Sequence, residues 1–280
     1  SQPYRSKLNT EETSEKEKKE LNDKLNKIGK EVNNYRLDVI KNNPDLFVSV
    51  IFKTMKEPEA PEYNEIESDS LKRLLKYEYV KTHFFDDVDF SDARINYTPL
   101  YHNKLEKYFK SIVYPMPDSI IKGVDFVINK AKANDDIFKY TVHYLLNHYE
   151  KSKIMGMDGI FAHIGLNYYT PELVFWADSA QIEKVQDKAR KIFPLMLGKQ
   201  AINLTLLDTS GNNWVNMTKD VQADYTVLVF WDPDCGHCKK EIPKWNEAYN
   251  NLKEEYSIHM IGVTTSTLKK KWRSPGSPPW

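Results

Sequence analysis

Apolar residues recur at intervals of three or four along most of residues 14–192, and no convincing period-two alternation appears before residue 200. The pattern predicts an all-α first domain over residues 1–193. After a polar stretch over 1–13, expected to fray, a capping box at Ser14-Glu15-Lys16-Glu17 opens a long helix. Its apolar positions Leu21, Leu25, Ile28, Val32 and Tyr35 are spaced four, three, four and three. That heptad-like stripe suits either a coiled coil or one helix lying along a domain, and three repeats are too few to insist on the first.

Asn42-Asn43-Pro44-Asp45 stops this helix and caps a second, in which Leu46, Phe47, Val50, Ile51, Phe52 and Met55 are apolar enough to be mostly buried. Pro58 and Pro61, set among glutamates, mark a linker. Ser68-Asp69-Ser70 then starts a helix carrying Leu71, Leu74, Leu75 and Tyr79, and residues 82–98 read as an aromatic-rich loop. Further helices are predicted over 99–113, 117–133, 135–151, 157–166 and 171–192. Pro99, Pro117 and Pro171 suit a first helical turn, and Asn134-Asp135-Asp136 is a capping cluster.

The pattern changes at Phe193-Pro194, which ends the last of these helices. Leu204 to Asp208 and Trp214 to Met217 frame Ser210-Gly211-Asn212-Asn213, a hairpin signal. Tyr225 to Trp231 is a short apolar run of the kind that forms a strand buried on both faces. Ile242, Trp245, Tyr249 and Leu252 follow at helical spacing, and Ile258 to Val263 reads as another buried strand. The expected fold class is therefore α+β in two domains, an all-α domain followed over 194–280 by a β, β, β, α, β arrangement.

Forty basic and forty acidic residues cancel, so no overall field recommends nucleic acid or an anionic membrane as partner. No apolar run approaches the roughly 20 residues of a membrane helix. In the helical half, His143 and His148 are five apart, about 140° around a helix, which denies them a metal-binding i, i+4 pairing. His163 reads as a core histidine, and His83 and His102 have nothing evident to pair with. Seventeen tyrosines are mostly ring packing, with an exposed subset suited to a partner surface.

The chemistry lies in the only two cysteines among 280 residues, joined in one motif, Cys235-Gly236-His237-Cys238. A strand delivers Cys235 to the first turn of a helix, where unpaired N–H groups and the dipole favour a thiolate. Cys235 is thus the candidate nucleophile, and Cys238, nearly one turn on, the candidate resolving thiol. His237, with Gly236 beside it, is expected to tune the potential through an imidazolium near the sulfurs. Zinc would need four Cys or His ligands, and only His259 is near. A structural disulfide across two residues closes too small a loop to stabilise much. A peroxiredoxin-type peroxidase calls for Thr or Ser three residues before its cysteine, where this chain has Asp232.

Trp231 four before Cys235, the C-G-H-C motif, and Pro243 five after Cys238 resemble the active site of the thioredoxin superfamily. Leu197-Gly198-Lys199, Leu204-Thr205-Leu206-Leu207-Asp208 and Gly211 resemble the edge hairpin that opens the TlpA-like thiol–disulfide oxidoreductases of bacterial envelopes. Asn42-Asn43-Pro44, Phe47 to Met55 and Lys56-Glu57-Pro58-Glu59 resemble a helical region, with no assigned activity, that precedes the thioredoxin-like domain in some of these proteins. The resemblance implies dithiol–disulfide exchange by Cys235 and Cys238 on protein substrates, without metal or organic cofactor, and a redox partner that resets the site. It implies that Trp231 and Pro233 shape the rim and that Pro243 kinks the helix. It also implies a periplasmic or cell-envelope location with the signal segment removed, often with a lipid anchor.

Two departures from the family pattern qualify the expectation. Val229 stands six residues before Cys235, where thioredoxins carry a buried acid, and neither Glu241 nor Asp234 is placed to replace it. The chain also ends in Arg273-Ser274-Pro275-Gly276-Ser277-Pro278-Pro279-Trp280, without the cis-proline strand pair and last helix of a complete domain. An incomplete domain leaves an open sheet edge, through which a homodimer is expected. The alternative reading is a non-catalytic, partner-binding envelope protein whose truncated redox domain is inactive.

Overall fold

The computed structural model describes residues 15–208 and 210–264. Ser14 of the expected capping box, the polar first residues and the tail after Thr264 lie outside the described residues. The chain divides after Lys199 into two compact units. The boundary follows from packing: Met196 lies against Gly159 and Leu197 against Gly156, so the stretch after Phe193-Pro194 belongs with the helices.

The first unit is helical. Its helices are α1 (Glu15–Asn42), α2 (Phe47–Met55), α3 (Asp69–His83), α4 (Pro99–Lys107), α5 (Pro117–Ala131), α6 (Asp135–Glu150), α7 (Asp158–Asn167) and α8 (Ser179–Ile192). Caps explain many starts: Ser68 accepts from the Leu71 N–H, Thr98 from that of Leu100 ahead of Pro99 at the first turn, and Asn134 from those of Asp136 and Ile137. Val124, Val127, Ile128, Ile137, Val142, Leu145, Ile160 and Ile164 are wholly buried between α5, α6 and α7. Tyr101 is equally buried, and its hydroxyl meets Thr141 Oγ1 at 2.6 Å, which in turn donates to the Ile137 carbonyl at 2.7 Å. The aromatic-rich loop contributes to the core rather than to the surface, since Phe84 and Phe85 are buried and pack edge-on at 5.3 Å.

Three expectations about helix starts and burial fail in this unit. The last helix starts at Ser179, not at Pro171, because the Asp178 carboxylate caps the Gln181 N–H at 2.8 Å while residues 171–178 turn and insert Val174 into the core. Asp45 does not cap α2; Leu46 stands at that position without a side-chain bond. Nor is α2 mostly buried, since Leu46 and Met55 are exposed and its buried residues are Ser49, Val50 and Thr54.

Helices α7 and α8 meet at a small-residue contact, where a Cβ added at Gly165 would lie 2.9 Å from Ala189 Cβ. Gly165→Ala is therefore expected to force the helices apart and cost about 1–3 kcal/mol. Urea titration of the full chain measures this, and an unchanged midpoint would mean that α8 shifts freely.

The second unit holds the hairpin β1 (Thr205–Leu207) and β2 (Trp214–Asn216), the strand β3 (Tyr225–Trp231), helix α9 (Gly236–Leu252) and strand β4 (Ile258–Thr264). Strands β1 and β2 pair antiparallel, and β3 pairs parallel with β4 from Tyr225 opposite Ile258 to Trp231 opposite Thr264. The Asp208 carboxylate closes the hairpin, accepting from Ser210, Gly211 and Asn213, and these bonds hold its pKa down at about 2. The expected burial of β3 on both faces is not found: Tyr225 and Phe230 are each 62% exposed. Among the described residues only β4 pairs with it, so much of its surface has no covering layer. The apolar face expected on α9 is likewise split, with Ile242 and Tyr249 half-buried but Trp245 and Leu252 exposed.

Candidate active site

Strand β3 ends at Trp231, and a short turn carries the chain into α9. The Asp232 carbonyl accepts from the Cys235 N–H at 3.1 Å, and the Asp232 carboxylate accepts from the Asp234 N–H at 2.7 Å. Pro233 is buried between them. These bonds stop the strand and set Cys235 at the N-cap of α9 with an extended backbone, φ −75° and ψ 115°. Its sulfur occupies the place of a capping oxygen, accepting from the Cys238 N–H at 3.5 Å.

The electrostatics follow from that position. The Cys235 pKa is lowered, first by the Cys238 N–H, then by the Cys238 side chain and the His237 N–H, against burial and the Asp232 charge, which raise it. The thiolate is favoured by helix N-terminal donors, as expected from the sequence. The His237 amide is among the donors that lower the Cys235 pKa, its side chain is exposed, and the Asp232 charge raises that pKa. Gly236 faces open space, since an added Cβ would meet nothing within 4 Å. Both thiols are free and half-buried.

The remaining residues fall as follows. Trp231 is half-buried at the strand end, and Pro243 lies inside α9, seven residues into the helix. Val229 is half-buried and pairs with Gly262, so no carboxylate occupies that place in the sheet. The Glu241 carboxylate is held by Lys244 at 2.8 Å, which lowers its pKa. Asp232, three residues before Cys235, is an acceptor already engaged by backbone and has no hydroxyl to offer a peroxide. Sequence reasoning used Asp232 only to weigh a peroxidase; its part in building the turn was readable from the Asx-turn pattern Asp-Pro-Asp.

No group of three or more His, Cys, Asp or Glu side chains suited to a metal is present among the described residues. His83 and His102, expected to lack partners, have them: His83 Nδ1 lies 2.6 Å from Asp86 Oδ2 and His102 Nδ1 2.8 Å from the Tyr140 hydroxyl. His163 meets Asp125 at 2.6 Å, so it is satisfied, but it is half-buried rather than a core residue.

Comparison with known proteins agrees with both units. Residues 9–192 match a family described as a domain of unknown function, DUF5106, and residues 197–274 match the AhpC/TSA family. Protein disulfide-isomerase like 2-2 of Arabidopsis thaliana is 36% identical over 53 residues, which is 19% of this chain and 12% of that protein. Protein disulfide isomerase-like 2-3 of Oryza sativa subsp. japonica is 36% identical over 56 residues, 20% and 13% of the respective chains. The chain thus spans about an eighth of the length of the curated relatives it matches. A solved thioredoxin-like protein from Bacteroides caccae ATCC 43185 is similar in structure with a TM-score of 0.55 at 16% identity, over 78% of this chain and 76% of that one. At that identity the likeness is one of fold alone.

Proposed function

Since the chain belongs to the DUF5106 family and carries a thioredoxin-like domain of the AhpC/TSA family behind those helices, we propose that it exchanges a Cys235–Cys238 dithiol for disulfides in protein substrates of the bacterial cell envelope. The single observation that carries this reading is the Cys235 sulfur at the N-cap of α9, with its pKa lowered by the amides of His237 and Cys238. The Cys235 thiolate attacks one sulfur of a substrate disulfide, forming a mixed disulfide and releasing the other sulfur as a thiolate. Deprotonated Cys238 then attacks Cys235 Sγ, releasing the second substrate thiolate and leaving Cys235–Cys238 oxidised by two electrons. A dithiol partner restores the reduced state by the same steps; the reverse direction oxidises substrates. The exposed Tyr225, Phe230 and Trp245 offer apolar surface to a polypeptide. Self-association through the β3–β4 sheet edge would compete for that surface.

The test is equilibration of the full chain in glutathione buffers of graded potential, followed by alkylation and mass counting of both thiols. A two-electron midpoint between about −270 and −120 mV is expected. Intermolecular mixed disulfides without a midpoint would refute a working dithiol.

A further inference from the structure

We propose that Asp232 is the positioning residue that sets the redox poise of the Cys235–Cys238 pair. Its one carboxylate both builds the turn that presents Cys235 and opposes the thiolate presented there, which biases the reduced site toward giving its electrons to a substrate disulfide. The proposal rests on the dithiol–disulfide exchange put forward above and adds the group that tilts it. Two bonds place Asp232. Its carbonyl accepts from the Cys235 N–H at 3.1 Å, which closes a turn over residues 232–235 with Pro233 at the second position. Its carboxylate accepts from the Asp234 N–H at 2.7 Å, so the half-buried side chain is folded back on the same turn. The Cys235 carbonyl then accepts the first bond of α9, from the Lys239 N–H at 3.1 Å. Acid and sulfur thus stand at the two ends of one turn.

The turn itself does not need a charge. Asparagine would accept from the Asp234 N–H in the same Asx turn, and a site built only to stabilise a thiolate would hold no acid there. A carboxylate at this place works against the helix amides, the kind of local conflict that marks function rather than fold. In agreement, Asp232 raises the Cys235 pKa while the Cys238 and His237 N–H groups lower it. The other ionisable groups near the sulfur are Cys238, which is half-buried, and Asp234, His237 and Lys239, which are exposed, where water weakens their field. Opposite Trp231 the end of β4 is Thr264, which does not titrate. A less stable thiolate means a less stable reduced pair, hence a lower potential and a stronger reductant. In that direction Cys235 and Cys238 give up two electrons as the bond between them forms. The substrate S–S bond breaks to two thiolates, which take up the protons that the site thiols release.

The experiment uses the full chain and two variants, Asp232→Asn, which keeps the turn bond and loses the charge, and Asp232→Ala, which loses both. In glutathione buffers at fixed pH, Asp232→Asn is expected to move the exchange equilibrium up to about tenfold toward the dithiol, a midpoint raised by up to about 30 mV. Read separately in a Cys238→Ser background, the alkylation profile of Cys235 should move to lower pH with the same substitution. Asp232→Ala should exchange more slowly than Asp232→Asn, since its turn no longer fixes the sulfur. A midpoint and an alkylation profile both unmoved in Asp232→Asn, beside a parent with a clean midpoint, overturn the proposal and leave the exchange standing. Shifts in the opposite direction overturn it as well. Equal rates for the two variants would refute the positioning role. A parent without a two-electron midpoint refutes the exchange itself, and the poise with it.

Discussion

Replacing Cys235 with serine is expected to abolish dithiol–disulfide exchange, a loss on the order of a thousandfold or more, as removal of a nucleophile from a site that acts as a unit produces. The same change at Cys238 leaves the first attack in place and is expected to trap the substrate as a mixed disulfide on Cys235. The two variants separate attack from resolution, and non-reducing gels with mass analysis read both. The lowered pKa of Cys235 adds a pH signature. Alkylation of Cys235 should accelerate as pH rises through a value below the roughly 8.5 of a free thiol. A Cys235 that alkylates with the pH profile of an unstructured cysteine would mean that the helix amides do not reach its sulfur in solution.

The second large effect concerns Lys104, which the helical unit buries to 7% exposure. Its ammonium donates to the Thr54 carbonyl at 2.9 Å and the Lys56 carbonyl at 2.6 Å, at the C-terminal end of α2, and lies 4.9 Å over the Phe84 ring. No carboxylate forms an ion pair with it among the described residues. Burial lowers its pKa from 10.5 to about 8, against the pull of Glu57 and Asp87. Between these values the unfolded chain holds the proton and the folded chain does not, so stability rises with pH across this window and is lost as pH falls through about 8. The expected gain is up to about 3 kcal/mol. A neutral amine keeps two N–H groups, enough for both carbonyls. Lys104→Met keeps the aliphatic packing and lacks the titration, so urea midpoints of the native chain should gain on those of the variant from pH 8 to 10.5. Parallel curves would mean that solvent reaches the ammonium.

How far the sequence reaches is visible element by element. Caps are local chemistry, and Ser68, Asn134 and Pro99 were readable because a side chain or a missing N–H acts within three residues of itself. The same rule misled at Pro171, where a residue compatible with a first turn competed with the stronger cap at Asp178. Apolar content misled at α2 and β3. It measures what a residue would gain by burial, whereas burial itself depends on how many layers surround the element, and Leu46 and Phe230 have too few.

The sequence by itself determined where the candidate site lies: two cysteines in C-G-H-C between an apolar strand and a periodic helix admit little but a sulfur at a helix start, since strand, turn and cap are all set within about a dozen residues. It also determined the helical character of the first unit. Only the tertiary structure showed that the His237 and Cys238 amides both reach the Cys235 sulfur, because that depends on the backbone geometry of the helix start. It alone gave Lys104 its lowered pKa, because the carbonyls and ring that enclose it come from residues 20 to 50 positions away. And it alone showed that α1 lies against α2, with the Arg36 guanidinium over the Phe52 ring, because periodicity marks an apolar stripe without saying what covers it.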